Sequence, residues 1–263
     1  MLDVENLRVQ FLDRPVKWAV DGVSFHMDDG EILGLVGESG CGKTVTAMAL
    51  SGLLVKKSVR YEGHVTLDGH EMLDTHRDAI RDLQGTSLAV VFQEPLSALD
   101  PVMKVGVQIE EALIVHYPEM TPQERKKRAF DAMEKAGLYN LEEVYQAYPH
   151  MLSGGMLQRV CIAAAIISEP RLLIADEPTT ALDVTTQAHI LAQLKKINKE
   201  HGTSILMISH NLAVVSALCT RIIVMKGGKI VEDGSADQIL HNPQHPYTQQ
   251  LIAAIPRRSK TYR

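Results

Sequence analysis

ILGLVGESGCGKTVTAMAL, residues 32–50, is the stretch that decides the fold. Its apolar start, Ile32-Leu33-Gly34-Leu35-Val36, reads as a buried strand, and Val45-Thr46-Ala47-Met48-Ala49-Leu50 reads as the start of a helix. Between them GESGCGKT, residues 37–44, satisfies G-x-x-x-x-G-K-[ST] at every fixed position, in the strand–loop–helix setting that gives this pattern its meaning. Gly37, Gly40 and Gly42 let the backbone curl, so that N–H groups along Glu38, Ser39 and Cys41 point inward at phosphate oxygens. The positive end of the helix dipole falls on the same spot. Lys43 is expected to reach the β and γ phosphates, and the Thr44 hydroxyl to ligate Mg2+. The stretch implies a nucleoside triphosphate site.

Around it lies an ordinary globular composition: 263 residues, 45% apolar and 22% charged. A formal net charge of −5 argues against a general nucleic-acid binder. Cys41, Cys161 and Cys219 form no close pair, which fits a reducing compartment with neither a disulfide framework nor a zinc site. MLDVENLRVQF, residues 1–11, alternates and carries acids, so it reads as a strand and not a signal peptide. No apolar run approaches the roughly 18 residues of a membrane span. The chain is expected to be soluble and to meet a membrane through partners.

Apolar runs predict further strands over residues 2–10, 19–27, 64–67, 87–92, 172–175, 204–209 and 222–225. Turn chemistry stands at Asp13-Arg14-Pro15, Asp28-Asp29-Gly30 and Asp68-Gly69. Residues 102–167 show helical spacing instead, with Thr121-Pro122-Gln123-Glu124 as an N-cap and first turn, and Val184 to Glu200 is a second clear helical run. The expectation is one α/β unit over residues 1–263, with a helical insertion at about 95–165 and a short C-terminal segment at 241–263.

Two more segments carry chemistry. LLIADEP, residues 172–178, ends a strand in two acids at the edge where open α/β sheets place their ligands. Asp176 is expected to hold Mg2+ through its water shell, and Glu177 to polarise an attacking water as general base. In LSGGM, residues 152–156, Ser153 is a natural N-cap, while Gly154 and Gly155 allow close backbone approach. This makes a second helix N-terminus suited to anions.

Together these segments resemble the ATP-binding-cassette (ABC) family of transport ATPases, in order and over nearly the whole chain. GESGCGKT is similar to its phosphate loop, LSGGM to its signature and LLIADE to its Walker B strand with the catalytic glutamate. Gln93 resembles the Q-loop glutamine, Ala181-Leu182-Asp183 the D-loop and His210 the switch histidine. The resemblance implies a P-loop ATPase core, a mixed sheet with an N-terminal antiparallel β part, and an inserted helical subdomain. It implies ATP and Mg2+ as cofactors, with Gln93 contacting Mg2+ and the water, and His210 the γ phosphate. Two cassettes would join head to tail, so that Ser153, Gly154 and Gly155 serve the partner's ATP. The usual signature ends in Gln where this chain has Met156, read here as a subfamily mark. Either Trp18 or Phe11 would stack on adenine.

FQEPLSALDP (92–101), MLSGGMLQR (151–159), DEPTTALDV (176–184) and HNPQHPYTQQL (241–251) resemble ATPases of oligopeptide, dipeptide and nickel importers. Many of that group run on into a Cys-containing tail; no cysteine follows Cys219 here, so no iron–sulfur cluster is expected there. The eleven histidines are scattered, with His241 and His245 separated by a Pro-containing turn, and no metal site is expected of them. Arg125-Lys126-Lys127-Arg128 reads as a solvated helix face, and Arg257-Arg258-Ser259-Lys260 as a frayed tail. The resemblance implies a peripheral location on the cytoplasmic side of the cell membrane. Its implied partners are two transmembrane permeases, a second, non-identical ATPase and, indirectly, an extracytoplasmic binding protein, with no nucleic acid. The rival readings are a non-transport ABC ATPase and a regulatory cassette that binds ATP with little hydrolysis.

Overall fold

In β1 (Leu2–Phe11) and β2 (Val20–Met27) the expected alternation is present: Leu2, Val4, Leu7 and Val9 face Val20, Val23 and Met27 in the interior, and the strands pair antiparallel. β3 (Ile32–Val36) is buried along its whole length, as a strand covered on both faces must be. The phosphate loop and α1 (Lys43–Leu50) follow. β4 (Val59–Leu67) and the short β5 (His70–Glu71) complete a four-stranded antiparallel sheet ordered β2-β1-β4-β5. α2 (Arg77–Leu83) leads to β6 (Leu88–Val91). The computed structural model describes residues 1–13, 17–54, 57–73, 77–180 and 182–254. Part of the Asp13-Arg14-Pro15 turn, Ala181 and the basic tail at 257–260 lie outside the described residues.

After β6 the chain turns helical, through α3 (Pro95–Ala98), α4 (Val105–His116), α5 (Pro122–Lys135), α6 (Leu141–Gln146), a 3-10 turn at Pro149–Met151 and α7 (Gly154–Ile166). The capping box expected from the sequence starts α5: Thr121 accepts the Glu124 N–H, and Glu124 reaches back to the Thr121 N–H. The basic run on α5 departs from its expected solvated face at Arg125. Its guanidinium turns inward to Glu110 and to the Met120 carbonyl, because Glu110, buried on α4, needs donors and takes them from Arg125 and the Tyr145 hydroxyl.

The remaining elements are β7 (Leu172–Asp176), α8 (Val184–His201), β8 (Ser204–Ser209), α9 (Leu212–Leu218), β9 (Arg221–Lys226), β10 (Lys229–Ser235), α10 (Ala236–His241) and α11 (Pro246–Ala253). They close a second sheet ordered β10-β9-β3-β8-β7-β6, parallel except for its edge strand β10. One face of this sheet packs on α1 and the antiparallel sheet, the other on the helices. β3 serves both: Leu33 and Leu35 belong to the first core, Ile32 and Val36 to the second. The architecture is α/β with an N-terminal antiparallel sheet, as the sequence led us to expect.

The reading missed β10 and the first half of β4. β10 is a polar edge strand, half-exposed along most of its length, so it carries no apolar alternation. β4 carries Gly63 at a φ of 97°, beside a register irregularity opposite Glu5 to Arg8 in β1, which interrupts its apolar alternation. Thr121→Ala removes the capping acceptor of α5 and is expected to lower stability by about 1 kcal/mol in urea unfolding.

Candidate nucleotide-binding site

Parallel strands end on one edge of a sheet, and four loops leave that edge here: after β3, β6, β7 and β8. They carry the phosphate loop, Gln93, Glu177 and His210, and all four line one cleft of about 720 Å³. Phe11, Lys17 and Trp18 form another wall, with Gly227-Gly228 and Leu251 closing a third.

Gly42 is the hinge of this arrangement. Its φ of 111° is closed to most side chains, and a Cβ would lie 2.5 Å from the Ala19 carbonyl oxygen. The close approach brings the Lys17–Ala19 segment against the phosphate loop and Trp18 to the cleft wall. The Trp18 ring has the guanidinium groups of Arg8 and Arg60 at 5.9 and 5.8 Å. Phe11 lines the same cleft while packing on the core of the antiparallel sheet. Phe11 and Trp18 thus both line the cleft.

Within the loop Glu38, Ser39 and Gly40 are exposed, whereas Lys43 is buried. Lys43 Nζ donates to the Gly37 and Glu38 carbonyls at 2.8 and 3.0 Å, so the ammonium is desolvated and aimed by its own loop. The Cys41 side chain points into the core with its Sγ 3.9 Å from Lys43 Nζ, and burial pushes its thiol pKa up. The N–H groups of Cys41 and Glu38, expected to face phosphate, instead donate to the Glu38 carbonyl and the Tyr247 hydroxyl, because the loop closes on itself and on the C-terminal region. Cys161 and Cys219 are also buried, each pushed up to about 12 by burial.

Glu177 adopts a left-handed backbone, φ 51°, costing on the order of 1 kcal/mol. Its N–H donates to the Ile208 carbonyl at 2.9 Å, and its own carbonyl accepts the Thr180 N–H at 3.1 Å. The carboxylate then lies between two side chains: His210 Nδ1 at 2.7 Å and Thr180 Oγ1 at 2.5 Å. Sequence reading passed over Thr180, although it sits in the DEPTTALDV segment.

Ser153, Gly154 and Gly155 are not part of this cleft. Ser153 caps α7 by accepting the Met156 N–H at 3.4 Å. A Cβ on Gly154 would meet nothing within 4 Å, while one on Gly155 would press to 2.9 Å from Thr186 Cγ2 at the start of α8. Asp183 caps α8, accepting the Thr186 N–H at 2.9 Å. The two helix starts therefore sit against each other, with Gly154 facing open space.

Comparison with known proteins gives the same picture. The ABC transporter family model matches residues 20–180, and a model of the oligopeptide/dipeptide transporter C-terminal region matches residues 231–263. The chain belongs to the ABC transporter family. It is 42% identical over 259 residues to the oligopeptide transport ATP-binding protein AppD of Bacillus subtilis, covering 97% of this chain and 78% of that one. It is 44% identical over 257 residues to the dipeptide transport ATP-binding protein DppD of Haemophilus influenzae, with the same coverage. Among solved structures, the dimeric ATP-binding cassette MJ0796 in a post-hydrolysis state with ADP and Pi has a TM-score of 0.81 at 29% identity, covering 90% of this chain and 99% of that one.

As an ABC ATPase the chain binds and hydrolyses ATP, and Mg2+ is the ion that accompanies it. The residues at the end of β7 fit that ion. Asp176 is buried, its Oδ1 has no hydrogen-bond partner, and the Thr44 hydroxyl bonds to the same carboxylate. Burial, with the neighbouring Glu177 charge, pushes the Asp176 carboxyl above the usual range, against the opposing pull of Thr44 and Lys43. Oxygen donors with one lone pair set left over suit a hard divalent cation. Asp176→Asn is expected to stabilise the nucleotide-free protein by roughly 1 kcal/mol, since a buried charge is removed. Thermal unfolding with and without Mg-ATP checks it: the variant should lose the wild-type rise in Tm on adding Mg-ATP.

Proposed function

We propose that this chain is the ATP-hydrolysing subunit of a peptide importer, peripheral on the cytoplasmic side of the cell membrane. The observation that carries the reading is the meeting of the phosphate loop, Gln93, Glu177 and His210 in one cleft, with the α7 N-terminus left outside it. The match of residues 231–263 and the names of the relatives favour peptides over nickel or metal-chelate cargo. Residues 95–165 are read as the inserted helical subdomain and 241–263 as the C-terminal segment.

In this reading Lys43, Thr44 and the loop N–H groups not already bonded within the protein, as those of Glu38 and Cys41 are, hold the phosphates, and Trp18 or Phe11 takes the adenine. Thr44, Asp176 and Gln93 would hold Mg2+, which supplies charge neutralisation at the β and γ phosphates when bound. His210 and Thr180 both donate to Glu177, holding its carboxylate in place and turning a free lone pair toward the water it polarises. His210 is also the residue that would meet the γ phosphate. Ser153, Gly154 and Gly155 serve the ATP of a second, non-identical cassette in a head-to-tail dimer. The open face of Gly154 and the dimeric state of the MJ0796 cassette support a pairing of cassettes.

A second cleft, about 700 Å³, runs between β6 and helices α4 and α7, with Phe92 and Val115 exposed along it. We read it as the seat of the permeases, through which an extracytoplasmic binding protein would act. None of the helices among the described residues is long and apolar enough to cross a membrane.

Glu177→Gln is expected to lower kcat at least about 100-fold while ATP binding persists. Unchanged turnover would remove Glu177 as the base. Thr180→Val should cost kcat about fivefold with KM for ATP unchanged, the loss of one hydrogen bond to the base. Tagged chain drawn from gently solubilised native membranes should bring two permeases and another cassette; recovery from the soluble fraction alone would favour a non-transport ABC ATPase.

A further inference from the structure

Behind the phosphate loop, two segments far apart in sequence meet. α11 starts in His245-Pro246-Tyr247, where His245 Nδ1 accepts the Tyr247 N–H at 3.1 Å. Glu232 on β10 fixes the approach, accepting the N–H groups of Gln244 and His245 at 2.7 and 3.0 Å. The Tyr247 ring is thereby buried, 2% exposed, with Lys226 Nζ 4.5 Å from its centre. Its hydroxyl accepts the Glu38 N–H at 2.9 Å. One turn along α11, Leu251 lines the ATP cleft itself.

The Glu38 N–H and the Gly37 carbonyl belong to one planar peptide group. Tyr247 holds its N–H edge, and Lys43 Nζ, at 2.8 Å, holds its C=O edge. The orientation of this plane therefore decides where the lysine rests before phosphate arrives. Burial pushes the Tyr247 phenol pKa up, so the group stays a neutral hydroxyl with a lone pair to offer.

We propose that Tyr247 is a positioning residue of the ATP site, which fixes the Gly37–Glu38 peptide and through it Lys43, and that α11 thereby makes the C-terminal region part of the nucleotide site. The inference rests on the reading of residues 37–44 as the phosphate loop for ATP. A loop held in its binding shape loses less freedom when the nucleotide enters, and that saving appears as affinity. The ring alone does not do this: phenylalanine would fill the same space and keep the contact with Lys226, but would leave the Glu38 N–H without its acceptor.

The test is ATP binding by calorimetry on the purified full chain, with Tyr247→Phe, Tyr247→Leu and Lys43→Ala beside the wild type, and Tm measured for each without nucleotide. Tyr247→Phe is expected to raise the Kd for ATP about fivefold, the worth of one neutral hydrogen bond, with Tm within about 2 °C of wild type. Tyr247→Leu, which also loses the ring, should bind more weakly still and unfold earlier. A Phe variant with wild-type Kd overturns the proposal, whether or not its Tm falls, and makes Tyr247 a packing residue. A wild-type chain that binds no ATP, or a Lys43→Ala chain that binds as well as wild type, would instead bring down the phosphate-loop reading, and this inference with it.

Discussion

β3 is hydrogen-bonded to β8 on one side and β9 on the other, in register from Leu33 to Val36 against both. It has no polar side chain, and it contributes apolar residues to both cores. Any slip of this strand would turn Leu33 and Leu35 into the wrong core and move the phosphate loop relative to its neighbours. With the register fixed, Val36 is set opposite Ser209, and Asp176 opposite Ile208. The residues of the cleft are thus placed by a ladder of backbone bonds and side-chain packing whose strands do not line it.

What sits at the top of that ladder is unfavourable by ordinary folding standards. Asp176 is buried with an unpaired oxygen, Glu177 is in a left-handed backbone, and Lys43 is desolvated against carbonyls. Each departure puts charge or strain where a triphosphate and its cation would relieve it. The surrounding strands, with nearly complete burial, are what hold these groups in place.

The parts legible in the sequence are those whose logic is local. GESGCGKT and LLIADEP announce themselves because a strand, a turn and a charge fall within a few residues, and the capping box of α5 does so for the same reason. Gln93 and His210 were visible only through their place after apolar runs, yet they line the same cleft as the loop. The features missed depend on distant partners. Arg125 turns inward because Glu110 is buried; β10 exists because β9 offers it an edge; the Gly227-Gly228 turn and Leu251 reach the cleft through the sheet and not through any motif of their own. No periodicity in a single strand or helix encodes such meetings.

The contact between Gly155 and Thr186 has a mechanical consequence. With no room for even a methyl group between them, the starts of α7 and α8 have no clearance, like two teeth already in mesh. A push on the helical layer that turns α7 inward presses Gly155 on Thr186, and α8 begins seven residues after Glu177, at Val184. Movement at the Ser153 end of α7 would therefore be felt in the first turn of α8, next to the segment that follows Glu177.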